Sequence, residues 1–404
     1  MNRTLSAFLI LCIMSILAII HPAGCSPDVS APNTFQVKSQ IVDHEPILIG
    51  NDSDFQTQDW PGSGTHGDPY RIEDVRIAST SCILIGNTSV YFLILNCVLI
   101  NSNESYWHAT GIEFENVTHG LVEFCNITGF GEGYTTGRGI MLTDSNYCDL
   151  VRNTITDCGL GIGILRSNHT LIEDNIVEAD WSCINSGVEP ISTDVIVKGN
   201  LFTEKYFEDG IDLMLSGSNW QFENNVFGGA GYSMSSTYIM LFNSQIINND
   251  ISKLNVELRY CEKVVVSSNS ITDAVYYGLN LIWCSEISVI HNVFEGSFTG
   301  LGLARTNHCI IYNNTFDNYD ENAHDERGFN NIWDDGISLG NVWSDYNGST
   351  EVYEIPGSSG SIDRYPRMLA TGNGMSISSE IPIIMGIVGV VVGVVLLILK
   401  RRRG

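Results

Sequence analysis

Leu150-Val-Arg-Asn153-Thr-Ile155, Ile172-Glu-Asp-Asn175-Ile-Val177, Val197-Lys-Gly-Asn200-Leu-Phe202 and Phe222-Glu-Asn-Asn225-Val-Phe227 are four copies of one short pattern. An apolar residue stands three before each Asn and another two after it. Outward from these copies the Asn recurs at Asn96, Asn249, Asn269, Asn292 and Asn314, with Cys125 in its place once. Ile72-x-x-Val75-x-Ile77 reads as one cruder copy ahead of them. Successive positions from Asn96 onward lie 20–29 residues apart, the period of a solenoid.

A second signature falls between the copies: Gly-Ile-Met-Leu at 139–142, Gly-Ile-Gly-Ile at 161–164, Gly-Ile-Asp-Leu at 210–213, Gly-Leu-Gly-Leu at 300–303. Its apolar residues alternate with period two, as a half-buried strand requires. Each repeat therefore holds about three short strands and has no room for a crossover helix. Strands that recur once per turn stack on their equivalents in the next turn, which predicts a parallel β-helix of about 10–11 turns. Asn suits the repeated position for two reasons. It tolerates a left-handed corner, and its amide both donates and accepts, so stacked Asn side chains hydrogen-bond along the column.

The ends read as export and anchoring. Arg3, the apolar run 7–20 and the small residues up to Cys25 predict a signal peptide over 1–25. The uncharged apolar run 381–399 has the length of a membrane-spanning helix, and the basic tail 400–404 follows it. That order predicts a linker over 26–45, the β-helix over 46–368, a stalk over 369–380 and a single-pass membrane protein. The ectodomain lies outside the cell and the C-terminus in the cytoplasm.

Between signal and anchor, 46 acidic residues stand against 15 Lys and Arg, a formal charge near −31. That charge argues against nucleic acid as a partner. Ten cysteines lie outside the signal core with no Cys-x-x-Cys pair, so they read as small core residues. Eight Asn-x-Ser/Thr sequons outside the signal are glycosylation candidates in a host that has the machinery.

Two non-repeat segments resemble a known family. Pro46-Ile-Leu-Ile-Gly50, Trp60-Pro-Gly-Ser-Gly-Thr65 and Asp68-Pro-Tyr-Arg-Ile-Glu73, in an entry segment over 46–77, resemble the start of archaeal surface proteins with right-handed β-helix repeats. Asn331-Ile-Trp-Asp-Asp-Gly336, Gly340-Asn-Val-Trp-Ser-Asp-Tyr346 and Asp363-Arg-Tyr-Pro366 resemble the closing cassette of the NosD-like family, here spanning 329–368. The resemblance implies a right-handed parallel β-helix of a kind found in carbohydrate-binding proteins and sugar hydrolases. It also brings a copper-related name, and it transfers no activity. Physically, the cassette reads as a cap: Trp333, Trp343 and Tyr346 lie across the last turn, while Asp334, Asp335 and Asp345 hold its loops or bind a cation.

Several chemistries compete for the exposed surface. Aromatic platforms at Trp107, Trp181, Tyr206, Tyr276 and Tyr277, beside carboxylates and amides, suit sugar rings or a partner's surface. A polysaccharide hydrolase or lyase would use Asp209, Asp212 and Glu257, the last two about 10 Å apart on one face. The acidic stripe Asp157, Glu178, Glu204, Asp273, Glu295 and Asp317 offers oxygen ligands to calcium, but reads equally as solvated turn residues. The nine His are scattered, which disfavours copper, and no other cofactor is expected. The sequence therefore points to a surface-anchored ectodomain with a structural or adhesive role, binding carbohydrate or neighbouring surface proteins. An extracellular polysaccharide-cleaving enzyme is the main alternative.

Overall fold

The computed structural model describes residues 40–102, 108–131, 137–187, 191–204, 213–228 and 238–370. The expected signal peptide, membrane anchor and basic tail lie outside the described residues. Contacts divide the chain at Gln40, and the β-helix belongs to the unit that begins at Ile41.

The alternating apolar residues fold as three parallel faces wound around one core. The first face is an eleven-stranded sheet from Tyr70–Glu73 to Ile310–Tyr312, one strand per turn. The second runs from Val42–Asp43 through Asn126–Thr128 and Asp250–Ser252 to Arg367–Met368. The third runs from Ile47–Ile49 through Arg138–Thr143 to Glu321–Glu326. The turns stack in register, so Leu150 lies on Ile172 and Ile155 on Val177. Equivalent residues thus form apolar columns, and each fully buried side chain contributes roughly 1.5–3 kcal/mol. Aromatic residues take over the second-face column near the C-terminal end, with Phe294 on Phe316 at 4.9 Å and Phe316 on Trp343 at 4.6 Å.

The amide column forms a continuous ladder. From Asn153 to Asn314, each backbone N–H donates to Oδ1 of the next column residue at 2.9–3.1 Å. Each Nδ2 also donates to a carbonyl of the preceding turn, as Asn225 does to Val197 at 2.8 Å. Two of the sequence expectations need correction. Asn96 is exposed and left-handed, at φ 53°, and does not belong to the ladder. Cys97 takes the buried place above Cys125, because Ile94, not Leu93, pairs with Val122. Nor is the ladder Asn itself the left-handed residue. That conformation belongs to its predecessor, at Arg152, Asp174, Asn224, Asn248 and Asn313, with φ of 55–56°. The column selects Asn for its amide, and the corner is turned one residue earlier.

Both ends are plugged. A six-residue helix, Asp52–Thr57, is N-capped by Asn51, whose side chain accepts from the Ser53 N–H at 3.0 Å. Its Phe55 is fully buried and stacks on Tyr70 at 4.7 Å. The repeat pattern gives no sign of this helix, because a single turn and a half shows no period. At the other end Trp333 and Trp343 are buried, and Tyr353 stacks on Trp343 at 4.1 Å. Asp334 grips Arg364 at 2.6 and 2.9 Å, and Asp335 accepts three backbone N–H groups at 2.7–2.8 Å. Asp345 accepts from Asn322 and from the hydroxyl of Tyr353, itself packed near Tyr346. All nine described cysteines are buried, and none of them forms a disulfide.

Candidate functional site

The corner from the third face into the first repeats its own left-handed residue, at His119 (φ 65°), Tyr147 (54°), His169 (55°) and Asp194 (57°). Side chains other than Gly, Asn and Asp adopt this conformation infrequently, and here a large ring does so in three successive turns. Parallel register places these rings directly above one another, with Tyr91 one turn before them. Ring centres are 4.2 Å apart from Tyr91 to His119, 5.5 Å from His119 to Tyr147 and 4.6 Å from Tyr147 to His169. The last two pairs are nearly coplanar in orientation, at 8° and 13°. His66 closes the near end edge-on to Tyr91 at 5.2 Å. Beyond the far end, Nδ1 of His169 lies 3.6 Å from the Asp194 carboxylate, which also accepts from Asn219.

This column is one wall of a groove of about 500 Å³. Its floor is the outward side of the first face, where Leu93, Leu121 and Asp149 follow one another in register. Burial pushes the Asp149 carboxyl above its ordinary range and Glu173 adds to this, while a hydrogen bond from the Leu171 backbone pulls the other way. Among the described residues no Lys or Arg pairs with Asp149, and none lines the groove. Nδ1 of His119 is buried without a hydrogen-bond partner. The groove thus combines a phenol–imidazole rail, an apolar strip and one acid.

The expected residues that are described are not gathered into one site. Trp107, Tyr206, Asp209 and Asp212 lie outside the described residues. Trp181, on Ile176–Asn185, is half-buried and four turns away from Tyr276 and Tyr277. Tyr276 is exposed, and its backbone N–H donates to Asn255. The Tyr277 ring lies against Gly302, where a Cβ would come within 2.7 Å of it. Glu257 is nearly buried, paired with the Arg259 guanidinium, and accepts from Asn280 at 3.2 Å. It is therefore a neutralised structural carboxylate rather than a free catalytic one. In the acidic stripe, Glu295 and Asp317 are exposed neighbours, whereas Asp157 accepts from Thr128 at the corner.

The missed residues carried a signal. Tyr91, His119, Tyr147 and His169 each stand three before the first apolar residue of their repeat, at Ile94, Val122, Leu150 and Ile172. With Leu93 taken for Ile94, Tyr91 drops out of that alignment.

The stacked parallel faces, one strand of each per turn, define a parallel β-helix repeat protein. A family model described as a right-handed β-helix region matches residues 62–227, and one described as periplasmic copper-binding protein (NosD) matches residues 185–348. Over these stretches the chain resembles the NosD-like family of right-handed β-helix proteins. No curated protein matches its sequence. Among solved structures it is similar to a mutant of the periplasmic alginate epimerase AlgG, with 16% identity, 81% and 85% of the two chains covered and a TM-score of 0.49. It also resembles the DFA-IIIase of Arthrobacter chlorophenolicus in complex with GF2, with 15% identity, 83% and 86% coverage and a TM-score of 0.37. A third is the A-module of a mannuronan C-5 epimerase from Azotobacter vinelandii, with 12% identity, 75% and 80% coverage and a TM-score of 0.38. These likenesses concern the fold alone.

The copper in the family description finds no donor set among the described residues. Among the described residues no three His, Cys, Asp or Glu side chains converge on a metal-sized site. His119 and His169 are held two turns apart by the Tyr147 ring between them.

Proposed function

We propose that this chain is a cell-surface β-helix that binds carbohydrate along the His–Tyr groove. The observation that carries the reading is the stacked column of Tyr91, His119, Tyr147 and His169 beside the Leu93–Leu121 strip. Sugars present both C–H faces and hydroxyls, and recognition of them calls for apolar surface flanked by donors and acceptors. A phenol or imidazole edge once per turn supplies the polar part at a spacing of ~4.8 Å, close to the size of one sugar ring. In this reading residues 1–25 direct export, 46–368 form the ectodomain, and 381–399 anchor it with the basic tail inside the cell. Neighbouring surface proteins are the alternative partners.

A second reading has a specific observation in its favour. Asp149 is a desolvated carboxyl beside imidazoles and phenols, a setting in which acid–base groups are tuned. A polysaccharide hydrolase or lyase would use Asp149 rather than Glu257.

One experiment separates the readings. Full-length protein is screened against a polysaccharide panel with and without calcium, and binding and product release are read on the same samples. Binding without products supports the adhesive role. New reducing ends or unsaturated products move the assignment to the enzyme. Silence in both overturns the carbohydrate reading.

A further inference from the structure

The charge of the groove narrows the ligand within the carbohydrate reading, on which this step rests. The lining holds one carboxyl, three imidazoles and two phenols, with no Lys or Arg. Asp149 sits in its floor between Leu121 and Leu171, without an ion-pair partner among the described residues. Glu173 lies near enough to act on it electrostatically, and Asp194 closes the far end of the rail. The whole chain has a formal charge of −26, so the long-range field has the same sign as the groove. An anionic polysaccharide would meet repulsion at every distance. A neutral one would offer the half-buried carboxyl hydroxyl hydrogen bonds but leave its charge uncompensated. A sugar bearing an ammonium group satisfies both conditions. Its charge pairs with Asp149, and its C–H surface lies along the ring edges of Tyr91, His119 and Tyr147.

We infer that the groove is a binding site for an amino sugar with a free amine, Asp149 receiving the ammonium group beside the Tyr91–His119–Tyr147 wall. The site then distinguishes a free amine from its acetylated form, since acetylation removes the charge and keeps the ring.

The test compares short oligomers on one backbone, so that polymer charge contributes little. Full-length protein is titrated calorimetrically with a glucosamine oligomer, its N-acetylated counterpart and a uronic-acid oligomer, in mildly acidic buffer that keeps the amines charged. The expected result is at least about tenfold tighter binding of the free-amine form than of the acetylated form. In Asp149→Asn the two affinities converge, while Lys198→Gln, outside the groove, leaves the preference intact. Equal affinities in the native protein, or a preference that survives Asp149→Asn, overturn the inference and leave carbohydrate binding standing. Tighter binding of the uronic-acid oligomer overturns it as well. Failure of all three oligomers to bind removes the inference together with the reading beneath it.

Discussion

The backbone N–H of Asn341 donates to Oδ2 of Asp363 at 2.7 Å, so a ladder of amides ends on a carboxylate. The same oxygen accepts from the indole of Trp343 at 3.0 Å, and Oδ1 accepts from the Tyr365 N–H. Asp363 is fully buried, and burial pushes its carboxyl above the ordinary range. One side chain thus closes the amide column, holds the last indole and fixes the returning chain.

Replacing Asp363 by Ala strands these donors in a dry site. The expected loss is about 3–5 kcal/mol, at 1–3 kcal/mol per unsatisfied group after partial relaxation. Urea unfolding monitored by tryptophan fluorescence measures it. A loss below about 1 kcal/mol would show that the ladder needs no terminal acceptor.

Two asparagines that look alike in sequence should behave differently. Asn249→Ala removes an amide that accepts from Asn225 and donates to the Phe222 carbonyl, and is expected to cost about 2–4 kcal/mol. Asn96→Gly keeps the left-handed corner and gives up one exposed hydrogen bond to Asp74, so its effect should stay within about 1 kcal/mol. Equal losses would contradict the placement of Asn96 at the corner and Cys97 in the column.

The buried thiols should be silent in the native protein. Burial pushes Cys148, Cys158 and Cys309 up to about 12 and Cys82 to about 11, so almost no thiolate exists at neutral pH. Alkylation followed by mass spectrometry should leave these four cysteines unmodified until the protein is unfolded, when they react. Rapid native labelling of any one of them would show that its turn opens.

The cap should loosen in acid. Burial alone would raise Asp334, but its hydrogen bonds with Arg364 outweigh this and hold the carboxyl below its ordinary value. The folded state therefore binds fewer protons here than the unfolded chain, and the pair's stabilisation is complete above the ordinary value of 3.8. It is lost as pH falls from there through the lowered value. Hydrogen exchange of the Asp334–Arg364 loops, measured against pH, should show protection falling in that window. Protection in Arg364→Gln should already be weaker above 3.8, where the native pair is intact.

Ligand binding should respond to acid at a different point. The groups facing Asp149 are His66, His119, His169, Tyr91, Tyr147 and Glu173. Because the Asp149 carboxyl is raised, it protonates above the ordinary 3.8 and then no longer pairs with an ammonium group. Affinity for the free-amine oligomer should therefore fall on acidification before the cap loosens. An affinity that rises with acid would contradict Asp149 as the receiving group.

The repeat from Leu150 to Phe316 was legible because two constraints, period two along a strand and one Asn per turn, act on the same residues. The first turn was not, because Leu93 and Ile94 are equally apolar and Asn96 stands beside Cys97, so the pattern fits one residue out of register. The carboxylates expected to act together illustrate a different limit. Nothing in the sequence around Glu257 reveals that Arg259, two residues on along the same strand, neutralises it. The His–Tyr wall was hidden for a third reason. Its members lie 22–28 residues apart and differ in type, so only the column position unites them.

The ladder joins each turn only to the turns on either side of it. The two stretches from Asn175 to Asn200 and from Asn200 to Asn225 have the same length and offer the same amide above and below. Gain or loss of the second such unit would leave the Phe55 plug, the Asp363 terminus and the His–Tyr wall, with Asp194 beside His169, in place. The extent of the rod and the choice of ligand are thus separable heritable traits, free to change at different rates.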